Sequence, residues 1–178
     1  MRMWLMLAAA CVLSGCTHII LPGHAGSMEG CADRIAGCIA GALDDSHKGI
    51  SILVGTPVDA VSFAPGDFGL ALQEFLIGAL AEEKMNVLDV QLRQEPYITC
   101  QDGLMILSRD ADRIRKEFRA EVVVVSTYLA REDDILITAR AVDFTNNDVI
   151  ASTTVVLTTT AGVGHLLRSR GQAVVYEK

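Results

Sequence analysis

Val122-Val123-Val124-Val125-Ser126-Thr127-Tyr128, Ile135-Leu136-Ile137-Thr138-Ala139-Arg140-Ala141-Val142-Asp143 and Val149-Ile150-Ala151-Ser152-Thr153-Thr154-Val155-Val156-Leu157 are three runs rich in β-branched residues. Two short polar breaks separate them. Four consecutive valines leave no polar face, which is the pattern of a central parallel strand with helices above and below. Glu132-Asp133-Asp134 and Asn146-Asn147 are turn sequences, so the three runs predict two successive antiparallel hairpins.

Upstream, strands and helices alternate. Ser108 can cap a helix in which Ala111, Ile114 and Phe118 face the core. Asp110 and Asp112 in its first turn suit the helix dipole, and Arg109, Arg113, Arg115, Lys116 and Arg119 make its remaining surface basic. Before it, Asn86 to Leu92 reads as a strand, and residues 93–107 as irregular. Asp67 offers an N-cap to another helix, with Phe68, Leu72, Phe75, Leu76, Ala79 and Leu80 as its core stripe and Gln73, Glu74, Glu82 and Glu83 facing out. Ile50 to Thr56, closed by Pro57, reads as a strand, followed by a loop through Ala64-Pro65-Gly66. Ser27 caps a first helix carrying Cys31, Ile35, Cys38, Ile39 and Ala42 at helical spacing. After this N-terminal helix the order is β-α-β-α-β-β-β. The expected fold is a single α/β domain with a mixed sheet, parallel in its first half, antiparallel in its last and flanked by helices. Residues 158–178 show no clear period and are expected to be a tail, with Ala173-Val174-Val175 as its one strand-like stretch.

The chain begins with an address. Residues 1–15 hold one cation, Arg2, an apolar run too short for the ~20 residues of a membrane-spanning helix, and small Ser14 and Gly15 before Cys16. Leu13-Ser14-Gly15-Cys16 resembles a bacterial lipobox, which makes 1–15 a lipoprotein signal peptide. The Cys16 thiol would take a diacylglyceryl group and its amine, once freed, an N-acyl chain, giving a stable membrane anchor without a span. Residues 16–27 read as the lipidated tether and 28–157 as the domain. By the same resemblance, Thr17 in place of Asp favours the outer membrane, with the domain facing the periplasm.

Loss of Arg2 with the leader leaves 14 basic against 22 acidic residues. Such an acidic chain is a poor binder of nucleic acid or anionic lipid. Cys31, Cys38 and Cys100 remain once Cys11 leaves and Cys16 is acylated. Cys31 and Cys38 would lie about two turns, ~10 Å, apart on one helix, beyond disulfide reach, so any bridge would use Cys100. Small buried thiols are the simpler reading. The four histidines, His18, His24, His47 and His165, show no metal-ligand spacing, and no metal or cofactor is expected. No G-x-S-x-G elbow, P-loop or dinucleotide fingerprint occurs in the chain, so no catalytic residue is assigned and a non-enzyme is expected.

From Asp67 to about Leu157 the order of features resembles the FlgO family, outer-membrane lipoproteins associated with bacterial flagella. The resemblance is carried by Phe68-Gly69, Asn86-Val87-Leu88-Asp89-Val90, Leu107-Ser108-Arg109-Asp110, Val123-Val124-Val125-Ser126-Thr127-Tyr128, Ile137 to Asp143 and Val149 to Ser152. It implies a non-enzymatic lipoprotein that stabilises or seats the flagellum through other envelope or flagellar proteins, and it leaves a homo-oligomer open. Within these motifs, Ser108, Arg109 and Asp110 are expected to start a helix. Arg140 interrupts an apolar strand and is expected on a solvent face or in an ion pair, with Asp110 as its candidate partner. Similar topology in curli-secretion and TolB-like periplasmic domains gives the alternative, a non-flagellar envelope-assembly or secretion lipoprotein. If the last hairpin lies at the sheet margin, its edge is a docking site for a neighbour's strand.

Overall fold

The computed structural model describes residues 23–43, 49–88 and 119–168. Cys16, Ser108, Arg109, Asp110 and Cys100 lie outside the described residues, as do the leader, the basic helix expected after Ser108 and the last ten residues. The elements are β1 (Gly23–Ala25), α1 (Met28–Ala42), β2 (Ser51–Val54), β3 (Val58–Asp59), α2 (Asp67–Glu82), β4 (Asn86–Leu88), β5 (Val122–Ala130), β6 (Asp134–Asp143), β7 (Val149–Thr158) and α3 (Ala161–Arg168).

The valine run is the hinge of the topology. β5 pairs in parallel with β2 on one side and antiparallel with β6 on the other, and both its faces are buried at Val122, Val123 and Val124. The sheet is mixed, as expected, in the order β1-β7-β6-β5-β2-β4, with β3 beside the upper part of β5. Both hairpins form. Arg131 closes the first turn, its backbone N–H donating to the Asp134 carbonyl and its guanidinium to the Asp134 carboxylate. In the second, Asn147 takes a left-handed φ of 62°, which asparagine tolerates better than most residues.

One sheet face carries the main core. Ile135, Ile137, Ala139 and Ala141 of β6 and Val155 and Leu157 of β7 pack with Met28, Cys31, Ala32, Ile35 and Ile39 of α1 and Phe68, Leu72, Leu76 and Leu80 of α2. The opposite face has a smaller cluster of Leu53, Ala120, Val123, Val142 and Phe144. Ser27 caps α1 as expected, its hydroxyl accepting from Gly30 N–H at 3.1 Å.

The structure corrects several sequence expectations. Residues 23–25 of the expected tether are a strand, because Gly23, His24 and Ala25 pair in parallel with Val155, Val156 and Leu157. That strand covers part of β7, so the last hairpin is not the sheet margin. Residues 161–168 of the expected tail are helical, with Val163 buried and Leu166 and Leu167 packed against the core. The N-cap of α2 is Gly66, and Asp67 is its first helical residue, where its charge favours the helix dipole. Phe75, expected in the core stripe, is exposed, while Gln73, expected in solvent, is half-buried and bonded to β2. Amphipathic spacing alone does not locate the margins of a helix face where a neighbouring strand offers a carbonyl to a polar side chain.

Candidate interaction surface

The break between β2 and β3 sets the upper end of the sheet. Val54 pairs with Val124 and Val58 with Thr127, so one more residue lies between the pairs on the β2–β3 side than on β5. Pro57, which has no N–H to give a ladder, lies within this bulge. α2 closes over it. Gln73 donates to the Val54 carbonyl at 2.9 Å and accepts from the Thr56 hydroxyl at 2.7 Å, tying α2 to the end of β2 and to the bulge. Gly69 lets the helix descend, because a Cβ there would lie 2.1 Å from the Pro57 carbonyl oxygen. Phe68, fully buried, meets the Tyr128 ring edge-on with centroids 4.7 Å apart. The Phe68-Gly69 pair is therefore the seat of α2 on β3 and β5.

Beyond β3 the chain makes a tight loop before entering α2. Asp59 Oδ1 accepts from Val61 N–H at 3.0 Å, Ser62 N–H at 2.8 Å and the Ser62 hydroxyl at 3.0 Å. Burial pushes the Asp59 pKa up, but the hydrogen bonds from Ser62 and Val61 outweigh it and hold the carboxyl below its ordinary value. The Asp59 N–H bonds the Ala64 carbonyl, Phe63 N–H bonds the Asp59 carbonyl, and Val58 bridges Pro65. Ala60 N–H reaches the Tyr128 carbonyl and fixes the loop to β5. Phe63 sits at a φ of 54°, costly for a bulky side chain. The result is a stapled loop that holds Val61 75% exposed and Phe63 50% exposed. The sequence pattern by itself marks this stretch only as a loop. Its one further signal is Asp59 followed three residues later by Ser62, an Asx-type turn that pins two apolar residues in and beside it.

The second feature is the outer face of the β5–β6–β7 sheet, opposite α1 and α2. Strand pairing places Val125, Arg140 and Ser152 in one cross-strand row, Thr127, Thr138 and Thr154 in the next, and Leu129, Leu136 and Val156 in a third. The Thr138 and Thr154 hydroxyls are 3.2 Å apart and share a hydrogen bond. Arg140 is exposed on this face, in agreement with the solvent-face expectation. Its side chain has no ion pair among the described residues, and its suggested partner Asp110 lies outside them. The inner face of the same hairpin is buried in the core, at Ile135, Ile137, Ala139 and Ala141.

Among the described residues no group of three His, Cys, Asp or Glu side chains is placed to hold a metal, and no helix is long and apolar enough to cross a membrane. Cys31 and Cys38 are free thiols. Cys31 is buried in the core, and that burial pushes its pKa up to about 12, Arg34 opposing only in part.

The model of the family described as FlgO protein matches residues 33–161, from within α1 to the start of α3. No curated protein sequence matches the chain. The C-terminal domain of LpoB from Escherichia coli is similar in fold, with a TM-score of 0.58 at 18% identity over 75% of this chain and 99% of that one. The corresponding domain from Salmonella enterica superposes with a TM-score of 0.52 at 19% identity, over 70% of this chain and 95% of that one. The solution structure of E. coli LpoB gives 0.54 at 15% identity, over 89% of this chain and 82% of that one. At these identities the likeness is one of fold.

Proposed function

Because this chain belongs to the FlgO family, we propose that it is a lipid-anchored outer-membrane protein that supports the stability or assembly of the flagellum. The family match over 33–161 carries the reading, and the lipobox ending at Cys16 supports the anchor. Diacylglyceryl and N-acyl groups on Cys16 tie the chain to the membrane, and the folded part faces the periplasm. The protein acts by binding other envelope or flagellar proteins, not by catalysis. Its contact surfaces are the outer face around Arg140 and the basic helix that Ser108, Arg109 and Asp110 would begin. A positive face on an acidic chain suits an acidic partner.

A second reading, a non-flagellar envelope-assembly lipoprotein, draws on the coverage of 99% of the LpoB C-terminal domain by this fold. One experiment separates the two. Swimming and flagellar number are measured in a clean deletion complemented with wild type or with Cys16→Ala. Loss restored only by the lipidated protein supports the flagellar role. Normal flagella and swimming in the deletion overturn it and favour the second reading.

A further inference from the structure

The two sides of β7 are covered unequally. β6 pairs with it from Val149 to Thr158, whereas β1 lies against Val155, Val156 and Leu157 alone. Among the described residues no strand pairs with that second edge at residues 151–154. Charge, proline and bulges keep an open edge from pairing, and β7 has neither a charged residue nor a proline. Its bulge lies nearer the start of the strand: Ala141 faces Ala151 and Val142 faces Val149, so Ile150 is the extra residue. Residues 151–154 are therefore a short, regular, uncharged edge that accepts a strand.

The direction of the chain selects the occupant. β1 runs parallel to β7 with Gly23 opposite Val155, so the residues before Gly23 lead along β7 towards its start. Continued in that register, Pro22, Leu21, Ile20 and Ile19 fall opposite Thr154, Thr153, Ser152 and Ala151. The run meets the whole of the open edge and stops at the bulge. Two of its residues are β-branched isoleucines, which suit a strand. Alternation sets Ile19 and Leu21 on the face of Ala25, which is buried in the main core, and Ile20 on the face of exposed His24. Pro22 is admissible because an edge strand can turn the side that lacks an N–H to solvent. A strand from another molecule has to compete with this segment, whose covalent link to β1 gives it an effective concentration on the order of mM.

We propose that the open edge of β7 is the docking site of the chain's own tether, residues 19–22 continuing β1 in parallel from Thr154 back to Ala151. Three residue steps then separate Cys16 from the docked segment, a reach of at most about 11 Å. Combined with the lipid anchor proposed above, on which this consequence rests, docking seats the domain on the leaflet by the start of β7 and the β6–β7 turn. The domain does not swing on a loose leash. The root of the stapled loop at Asp59 shares a cross-strand row with Tyr128, Ile137, Val155 and Gly23, so Val61 and Phe63 lie towards the other end of the sheet, away from Cys16. Docking also takes the β7 edge out of use for a neighbour's strand and leaves the outer face around Arg140 to meet a partner.

The test uses the chain from residue 17, without leader or Cys16. Its amide hydrogen exchange is compared with that of a variant of the same length carrying Ile19→Gly, Ile20→Ser and Leu21→Gly. Docking is expected to slow the alternate amides of residues 151–154 that point to this edge by about tenfold or more relative to the variant, with those turned to β6 unchanged. Disulfide formation reads the register. Ser152 and Thr158 are both exposed and lie three residues to either side of Val155, the partner of Gly23, so a loose tether meets both alike. Ile20→Cys is expected to bond with Ser152→Cys and not with Thr158→Cys, the bond being located by peptide mass. Equal exchange in the two chains, both with wild-type circular dichroism, overturns the proposal, as do equal disulfide yields at positions 152 and 158. A bond from position 20 of one chain to position 152 of another also overturns it, in favour of strand exchange between copies. Should the cysteine substitutions disturb folding, the exchange comparison decides alone. Neither readout needs acyl chains, so docking can fail with the anchor intact, and the mass of Cys16 in protein extracted from cell membranes tests the anchor separately.

Discussion

Gly69→Ala is the substitution whose outcome depends most directly on the geometry of α2. Helix propensity alone favours the change, since alanine in a helix interior is better than glycine by about 1 kcal/mol. The structure predicts the opposite sign. The new methyl would sit 2.1 Å from the Pro57 carbonyl oxygen and 3.2 Å from its carbon. A carbon-to-oxygen contact relaxes at about 3.3 Å or more, so helix and bulge must separate by roughly 1 Å. Pro57 has a fixed φ, and the two hydrogen bonds of Gln73 tie the helix to Val54 and Thr56, so neither side yields easily. Overpacking of this kind costs about 1–3 kcal/mol or somewhat more. Loss of the edge-on Phe68–Tyr128 contact adds about 0.5–1.5 kcal/mol. After the propensity gain, a net destabilisation of about 2 kcal/mol remains, a fall in Tm of roughly 4–8 °C for a chain of this size. Gly78, on the same helix with nothing within 4 Å of where its new methyl would sit, is the internal control. Gly78→Ala is expected to stabilise by about 0.5–1 kcal/mol. Urea unfolding of the leaderless chain reads both. Two substitutions that move stability in the same direction would refute the close approach of α2 to Pro57.

Further outcomes follow from individual side chains. Ser126 is buried on the core side of β5 with its hydroxyl unpartnered among the described residues, so Ser126→Ala should be neutral or stabilise by up to about 1–3 kcal/mol in the same urea assay. Cys31 should resist a thiol reagent in the folded chain while half-buried Cys38 reacts, as peptide mass spectrometry after timed labelling would report. Because burial raises the Cys31 pKa from 9.0 to about 12, the folded state keeps a proton that the unfolded chain has begun to lose, so stability is intact below pH 9 and declines between there and 12. Cys31→Ala should flatten that decline in unfolding midpoints measured across the range. Arg140→Ala, on an exposed site with no ion pair among the described residues, should change stability by no more than about 0.5 kcal/mol and yet fail to complement a deletion. Full complementation would remove Arg140 from the proposed contact surface.

How much of this is legible in the sequence depends on whether a signal is local. The valines of β5 have no polar face to place in water, so a central position follows from composition alone, and the Asp- and Asn-rich breaks fix two hairpins without reference to anything distant. Misreadings arise where a distant strand changes what a local pattern means. Gly23, His24 and Ala25 have no periodicity to advertise a strand; they become one because β7 offers an edge at Val155 to Leu157. Gln73 looks like a solvent residue on a helical wheel, and its bonds to the Val54 carbonyl and the Thr56 hydroxyl hold it inward. Phe75 looks like core at the same wheel's margin and is left outside. The residues proposed for contact are legible in proportion to charge. Arg140 stands out because an arginine in an apolar strand demands an explanation, and the structure gives it a solvent face. Val61 and Phe63 do not stand out, since isolated apolar residues in a loop are ordinary until Asp59 is seen to pin their backbone. What sets this loop apart is the strain the fold tolerates to hold it, here a bulky residue at positive φ and a carboxylate committed to three donors, and neither is a property of composition.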